Sequence, residues 1–291
     1  MNSFFDFSPA SVRDLADADA QRALREDVGD GDLTASLVAS DSRATARVLL
    51  REPTVLCGVP WVEAVLRRID PAVHMAWQVA EGAPCTPDQV VLELSGASRS
   101  LLTAERTALN FLQLLSSVAT RTATYVEAVR GTRAAIVDTR KTLPGLRLAQ
   151  KYAVRVGGGT NHRIGLYDAI LIKENHIAAA GSVRAALQAA AQVSEGAKFV
   201  QIEVETLEQF DEALAHGARM VLLDNMDLPT LREAVRRNEA AGERRAVLEI
   251  SGGVTLASVR ALAETGVDRI SVGALTKDIK AIDFSMRFQA D

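Results

Sequence analysis

The sequence predicts an α/β protein with two parts, an N-terminal α+β unit and a C-terminal unit of repeated strand–helix pairs. Between residues 44 and 95, short β-rich runs are separated by Pro, Gly and Asp, which is typical of an antiparallel sheet. From residue 134 onward, six short apolar runs alternate with helical patterns. This alternation indicates a parallel sheet that is covered by helices.

The composition excludes several functional classes. The 291 residues carry a formal net charge of −4 and only 4% aromatic residues, which argues against a nucleic-acid-binding surface. No apolar run approaches the roughly 20 residues that cross a membrane, and the first ten residues lack the basic and apolar regions of a secretory signal. Cys57 and Cys85 are the only cysteines and form no CxxC pair. We therefore expect reduced thiols and a cytoplasmic location.

The N-terminal part begins with an amphipathic helix. Apolar residues recur at helical spacing from residue 9 to 28, with a proline just inside the start. The runs ARVLLRE, TVLCG, HMAWQVA and VVLELSG predict short strands, and one helix is expected among them, over residues 60–69. A leucine-rich helical stretch follows from residue 98 to about 130, in which a second helix is expected to begin near Thr120.

The C-terminal strands end in polar residues, and this chooses between two architectures. The six strands are AAIVD, AILIK, KFVQIEVE, MVLLD, AVLEIS and RISVG. In a barrel, all strand carboxyl ends meet at the face that holds the site, whereas an open sheet concentrates its site at one switch point. Six polar strand ends favour the barrel. Because fewer than eight strand–helix units are evident, we expect an incomplete one.

Positive charge is concentrated between residues 138 and 176, although the whole chain is acidic. A cluster of one sign destabilises a fold through self-repulsion and usually indicates an anionic ligand. For Arg147, Lys151 and Arg155, which are spaced four residues apart, the alternative is the solvated face of a helix. The basic residues of this segment are Arg140, Lys141, Arg147, Lys151, Arg155, His162, Arg163, Lys173 and His176.

Two pairs in this cluster predict recognition of a dicarboxylate or a sugar phosphate. Arg140–Lys141 and His162–Arg163 combine the planar arginine fork, which binds such groups through two hydrogen bonds, with compact point charges. Lys173 ends an apolar strand, where three roles stay open. It could bind the same anion, form a Schiff base, or extend into solvent from the strand end.

Glu203 and Asp224 end neighbouring strands, so they should lie on one rim of the barrel. Paired carboxylates there could bind Mg²⁺, accept sugar hydroxyl groups or stabilise a developing cation. Glu205 lies on the same side of its strand as Glu203, so alternation does not separate them. Asp224 could instead cap the helix that follows it.

Small residues follow the last two strands, where the loops of a barrel often bind phosphate at a helix N-terminus. These positions could also be simple tight turns, but both lie beside the basic cluster, which favours a phosphate site. They are Ser251, Gly252 and Gly253 after one strand, and Gly273 and Ala274 after the other.

Long stretches of the chain resemble a known family. They are LREDVGDGDLTA, AERTALNFLQLLSSVAT, DTRKTLPGLRLAQKYAVRVGGGTNHRIGLYDAILIKENHI, IEVE, LLDN, ISGGVT and DRISVGALTK. In this order, and over nearly the whole chain, they resemble quinolinate phosphoribosyltransferase, the decarboxylating nicotinate-nucleotide pyrophosphorylase of NAD biosynthesis. The resemblance implies a glycosyltransferase that converts quinolinate and phosphoribosyl pyrophosphate, with Mg²⁺, to nicotinate mononucleotide, pyrophosphate and CO₂.

The resemblance also implies a type II phosphoribosyltransferase fold. An N-terminal α/β sandwich domain would cover residues 1–115 and an incomplete (β/α) barrel would cover residues 116–291, with a last helix that packs back on the N-terminal domain. The family works as a homodimer, or a larger assembly of dimers, in which the partner chain completes each site.

Site residues follow from the matching motifs. Arg106 would be donated across the dimer, Lys141, Glu203 and Asp224 would be catalytic, and Glu203 and Asp224 would lie near the ribose and Mg²⁺. Many members carry Asn where this chain has Gly253, which puts only a side-chain contact in doubt. The implied substrate-binding set is Arg106, Thr139, Arg140, Lys141, His162, Arg163, Lys173, Glu203, Asp224, Ser251, Gly252, Gly253, Val272, Gly273 and Ala274.

Two other readings are weighed against this one. A paralogous phosphoribosyltransferase, ModD-like or specific for nicotinate, would share the scaffold, but a monocarboxylate would leave one cation of the basic set unpaired. A non-catalytic protein that binds a phosphorylated metabolite would be stabilised by its ligand without turning it over.

Overall fold

The computed structural model describes residues 5–289, which form two compact units. The sandwich unit contains residues 5–123, Leu143–Gly158 and residues 278–289, and the barrel unit contains Thr124–Thr142 and Gly159–Lys277. Two later segments of the chain, residues 143–158 and 278–289, belong to the same unit as residues 5–123. Among the helices of the described residues, none combines the length and apolar character that a membrane crossing requires.

The element bounds follow the predicted order closely. The helices are α1 (Pro9–Asp27), α2 (Val59–Ile69), α3 (Ser98–Ala128), α4 (Arg147–Val156), α5 (Glu174–Ala180), α6 (Val183–Val193), α7 (Leu207–Ala215), α8 (Leu228–Ala240), α9 (Leu256–Ala263) and α10 (Ala274–Lys277). The strands are β1 (Arg43–Leu50), β2 (Thr54–Val55), β3 (His74–Trp77), β4 (Pro84–Cys85), β5 (Val90–Ala97), β6 (Ala135–Val137), β7 (Ile170–Ile172), β8 (Val200–Val204), β9 (Met220–Asp224), β10 (Val247–Ser251), β11 (Arg269–Ser271) and β12 (Phe284–Phe288).

The sandwich unit is built on a four-stranded antiparallel sheet in the order β12-β1-β5-β3. Its last strand, β12, occupies the end of the chain where a helix was expected. Phe284 is buried and pairs with Leu50 at the edge of β1, so hydrogen bonding to that edge determines the extended conformation.

The 31-residue helix α3 runs without interruption through the point near Thr120 where a second helix was expected. Its sequence contains neither Gly nor Pro, so nothing in it breaks the helical hydrogen bonding. The hydroxyl of Thr122 donates to the carbonyl of Val118 inside the helix, at 2.7 Å. Leu101, Leu112 and Leu115 are fully buried along its length.

The barrel unit contains the predicted six-stranded parallel sheet, in the order β6-β11-β10-β9-β8-β7. Because all its strands are parallel, their carboxyl ends lie at one edge of the sheet. Strands β6 and β7 occupy the two ends of this order, as expected for an incomplete barrel. The register places Asp224 of β9 directly beside Ser251 of β10.

Candidate active site

The carboxyl ends of β7 and β8 bring a lysine against a carboxylate. Lys173 Nζ lies 3.1 Å from Oε2 and 3.4 Å from Oε1 of Glu203. Burial raises the pKa of Glu203, and the charges of Asp224 and Glu174 act in the same direction, whereas Lys173 opposes them. Glu205, the competing acid on the same strand, is exposed. The site therefore contains a largely buried carboxylate, Glu203, with a raised pKa and a neighbouring cation, Lys173.

Asp224 ends β9 next to a residue in an unusual conformation. Asn225 has a φ of +53°, and its Nδ2 donates to Asp224 Oδ2 at 2.9 Å. Helix α8 is capped instead by Asp227, whose carboxylate accepts from the Thr230 amide at 2.9 Å. The residue that caps this helix is therefore Asp227 and not Asp224.

The loop after β6 holds Lys141 at the end of β11. Thr139 Oγ1 accepts from the Lys141 amide at 3.0 Å, and the hydroxyl of Thr276 donates to the Lys141 carbonyl at 2.7 Å. A Cβ added to Gly273 would lie 3.2 Å from Cδ of Lys141. The exposed Lys141 side chain thus runs along the small residues that follow β11, so these predicted ligand groups do come together.

Arg163 is largely buried, and its Nη1 donates to the Ala169 carbonyl at 3.3 Å. Burial lowers the pKa of this guanidinium and the positive charge of Arg140 lowers it further, whereas the negative charge of Asp168 acts in the opposite direction. Two arginines close enough to repel each other form a site that an anion would stabilise. Asp168, which is fully buried, accepts from the amides of Ile164 and Gly165 at 2.9 Å each and so fixes the turn after Arg163.

His162 precedes Arg163 and is as deeply buried as Arg163 is. Its Nδ1 accepts from the Arg163 amide at 2.8 Å, its Nε2 lies 2.7 Å from Gln201 Oε1, and only 8% of the residue is exposed. This pairing assigns the ring proton to Nε2. The buried carboxylate of Asp138 accepts a hydrogen bond from the His162 amide at 2.8 Å. This bond ties the backbone of His162 to the end of β6.

Glu249 is a residue near the site that the sequence patterns did not single out. Its side chain is fully buried on β10. Its Oε2 accepts a hydrogen bond from Arg269 Nε at 2.8 Å. Its Oε1 accepts a hydrogen bond from the Ser271 hydroxyl and lies 3.5 Å from His162 Nε2. The available signal was an acid at alternate spacing from Ser251 in the apolar run AVLEIS. Glu249 joins the ends of β10 and β11 to the ring of His162.

The remaining predicted ligand positions divide between the two units. Gly252 and Gly253 have φ values of +101° and +55°, which favour glycine. The buried Val272 donates its amide to the Val137 carbonyl at 2.9 Å, and this joins β11 to β6. Arg106 belongs to the sandwich unit, where its side chain is exposed on α3.

The carboxylates at the edge of the sheet could supply some, but not all, of the oxygen ligands that Mg²⁺ requires. Within residues 5–289, no group of three or more His, Cys, Asp or Glu side chains is arranged to hold a metal ion. Glu203 and Asp224 supply carboxylate oxygens, which Mg²⁺ accepts together with water and substrate phosphates. The two carboxylates therefore fit Mg²⁺ as partial ligands.

Comparison with known proteins agrees with this geometry. Residues 32–116 match the N-terminal domain of quinolinate phosphoribosyl transferase, and residues 118–287 match its C-terminal domain. The nicotinate-nucleotide pyrophosphorylase [carboxylating] of Mycobacterium leprae is 43% identical over 277 residues, which are 94% of this chain and 97% of that protein. A quinolinate phosphoribosyltransferase [decarboxylating] of Nicotiana tabacum is 37% identical over 287 residues, covering 93% of this chain and 81% of that protein.

Solved structures give the same result. The nicotinate-nucleotide pyrophosphorylase from Francisella tularensis superimposes with a TM-score of 0.91 at 41% identity, covering 99% of this chain and 100% of that one. Human nicotinic acid phosphoribosyltransferase, at 15% identity and a TM-score of 0.66, shares the fold alone. The chain belongs to the quinolinate phosphoribosyltransferase family.

Proposed function

We propose that this chain transfers the phosphoribosyl group of phosphoribosyl pyrophosphate to quinolinate with loss of CO₂, and so produces nicotinate mononucleotide and pyrophosphate. One observation carries the proposal. At the carboxyl edge of the parallel sheet, Glu203 pairs with Lys173 and is close enough to Asp224 for the charge of Asp224 to raise the pKa of Glu203. The family match covers both units and supports the same reaction over the paralogous and non-catalytic alternatives.

Quinolinate is recognised by its two carboxylates. Arg140 and Arg163 repel each other in the protein alone, and a carboxylate between them would relieve that repulsion. Lys173 supplies a further cation, which a second carboxylate can share with Glu203. His162 supports recognition by holding the Arg163 amide in place. Such cations align the ring nitrogen of quinolinate with the anomeric carbon of the ribose.

The phosphates bind at the ends of β10 and β11. Lys141 supplies the charge, and close backbone approach is possible because the loop positions are small or lack a Cβ. Thr139 and Gly273 border the Lys141 side chain. The loops that would hold the 5-phosphate are formed by Ser251, Gly252 and Gly253 after β10 and by Val272, Gly273 and Ala274 after β11.

Glu203 and Asp224 stabilise the reacting ribose. Departure of pyrophosphate leaves positive character on the anomeric carbon, which nearby carboxylates stabilise. Both carboxylates would also hold Mg²⁺, directly or through water and substrate. When bound, Mg²⁺ neutralises the charge that develops on the departing pyrophosphate.

Decarboxylation needs little from the protein. Ribosylation leaves a positive charge on the ring nitrogen, which stabilises the electron pair left on C2 when the 2-carboxylate departs as CO₂. A proton from water then bonds to C2 and gives nicotinate mononucleotide. The cations that bind quinolinate only have to hold the intermediate in place until then.

A homodimer completes the site in this proposal, with Arg106 donated to the partner's barrel. Leu33 and Leu37 are 88% and 84% exposed and support it, because their segment meets α3 one turn before Arg106, where the Thr103 hydroxyl donates to Asp32 at 2.8 Å. Their segment is joined to α3 by Arg99 Nε, which donates to the Val38 carbonyl at 2.7 Å. Contact with a partner chain would remove these two leucine side chains from water.

A cytoplasmic location is part of the proposal. Cys57 and Cys85 are both free thiols and both buried, as expected for a protein of a reducing compartment.

The test is a time course with purified protein, Mg²⁺ and phosphoribosyl pyrophosphate, with quinolinate in one arm and nicotinate in the other. We expect loss of quinolinate absorbance and release of CO₂, with no turnover of nicotinate. Turnover of nicotinate alone would favour a paralogous phosphoribosyltransferase. Thermal stabilisation by phosphoribosyl pyrophosphate without turnover of either base would favour a binding protein.

A further inference from the structure

We propose that Asn225 is a positioning residue that fixes the orientation of the Asp224 carboxylate, and that Gly252 is a glycine because it must leave room for the Asn225 side chain. The proposal rests on the role proposed above for Asp224. Three separate observations carry it: the backbone conformation of Asn225, its side-chain hydrogen bond, and the steric environment of Gly252.

The backbone of Asn225 is held in a conformation that L-residues rarely adopt. Its φ is +53°, and within residues 5–289 the other non-glycine residues with positive φ are Phe7 and Asp88. The Asn225 amide donates to the Ser251 carbonyl at 3.1 Å, which ties the end of β9 to the end of β10. Asparagine tolerates this conformation better than most residues, but glycine would adopt it without strain. The side chain must therefore be retained for another reason.

That reason is the contact with Asp224. Asn225 Nδ2 donates to Asp224 Oδ2 at 2.9 Å, and glycine would lose this bond. With one carboxylate oxygen held, rotation of the carboxylate is restricted and the other oxygen is presented in one direction. An error of about 1 Å at a reacting group is enough to reduce catalysis strongly.

The neighbouring strand is shaped around the same amide. A Cβ added to Gly252 would lie 2.1 Å from Oδ1 and 2.8 Å from Cγ of Asn225, far inside contact distance. The φ of Gly252 is +101°. Any side chain at Gly252 would therefore push the Asn225 amide out of its place. Gly252 leaves room for the Asn225 side chain, and the Asn225 side chain in turn holds the Asp224 carboxylate.

The decisive variant is Asn225→Gly, because a turn residue and a positioning residue predict different results. Glycine suits the left-handed backbone, so a merely structural role predicts unchanged stability and unchanged activity. A positioning role predicts that kcat falls about tenfold, since a hydrogen bond to a charged group is lost, while the melting temperature stays within about 2 °C and KM for quinolinate changes little. Asp88→Gly is the matched control. Asp88 is also a non-glycine residue in the left-handed region, with a φ of +62° and an ion pair to Arg51 in the sandwich unit, and its kcat should not change.

Asp224→Asn and the double variant complete the cycle. If Asn225 acts through Asp224, the double variant should be no slower than Asp224→Asn alone. The proposal is overturned if Asn225→Gly keeps kcat within twofold while Asp224→Asn loses activity, or if the two losses add fully. Normal activity in Asp224→Asn would instead overturn the catalytic role of Asp224 and this inference with it.

Discussion

The ammonium nitrogen of Lys173 lies 3.1 Å from a carboxylate oxygen of Glu203, at the ends of the adjacent strands β7 and β8. Glu203 exposes one-tenth of its side chain, whereas Lys173 exposes 45%. A lysine that pairs with a carboxylate can serve as a charge partner for a second anion as well. Of the roles open for Lys173, the contact thus favours a cation that shares its charge between Glu203 and an anionic substrate.

Lys173→Met should move the acid limb of the pH profile of kcat to higher pH. Burial raises the pKa of Glu203, and Lys173 counteracts that rise, so removal of the lysine should raise this pKa further. Glu203 must be ionised to stabilise a developing cation, and activity is therefore lost as pH falls through its pKa. Steady-state kcat measured across the acid range checks this. An acid limb that stays in place or moves to lower pH would contradict the pairing.

Lys141→Met and Arg163→Met, made singly, should raise KM for quinolinate or phosphoribosyl pyrophosphate at least tenfold or abolish turnover. Each change removes a cation that the proposed substrates need, and a hydrogen bond to a charged group contributes about 1.5–3 kcal/mol. Arg236→Met is the control, because Arg236 pairs with Glu233 on the exposed side of α8 and should keep wild-type kinetics. Near-normal kinetics in both test variants would refute the substrate assignment.

Much of the barrel unit could be predicted because its signals are local. Each strand is a short apolar run, and most predicted site residues lie at the end of such a run or just after it, whereas His162 and Arg163 lie in the loop between α4 and β7. Glu249 escaped prediction because its partners, Arg269 and His162, are distant in sequence, and no pattern marks a buried acid as paired. The expected helix at the chain end failed for the same reason, since β12 is determined by pairing with β1, near the other end of the chain.

Glu249→Gln should destabilise the protein by about 2–4 kcal/mol, because it leaves the Arg269 guanidinium without its charged partner near the barrel core. The free energy of unfolding from urea titration measures this. Ser271→Ala, which removes only a hydroxyl donor to the same carboxylate, should cost about 1 kcal/mol. Equal and small losses in both variants would show that the buried charge pair is not important for stability.

Gly253→Asn should leave the melting temperature within about 2 °C of the parent. The φ of Gly253 is +55° and no atom lies within 4 Å of an added Cβ, and asparagine tolerates this conformation. Gly157→Ala provides the contrast, since its Cβ would lie 2.3 Å from the Ala119 carbonyl oxygen. That variant should lose more than about 2 kcal/mol of stability. Thermal unfolding of both variants tests this. Equal melting temperatures for Gly253→Asn and Gly157→Ala would contradict the packing described for Gly157.

Two inactive variants should restore activity when mixed if Arg106 is donated across a dimer. Subunits carrying Arg106→Ala and Lys141→Met, allowed to exchange, form mixed dimers in which one of two sites has both native residues. Random mixing then restores about one quarter of wild-type activity. Mixing Lys141→Met with Arg163→Met should restore nothing, because both changes lie in the same barrel unit. Recovery in neither mixture would argue against a shared site.

The most direct test of the central claim is the stoichiometry of the reaction with quinolinate labelled at its 2-carboxyl carbon. The account predicts that each quinolinate consumed yields one labelled CO₂, one pyrophosphate and one nicotinate mononucleotide, and only when phosphoribosyl pyrophosphate is present. Release of labelled CO₂ without pyrophosphate, or pyrophosphate without CO₂, would contradict it.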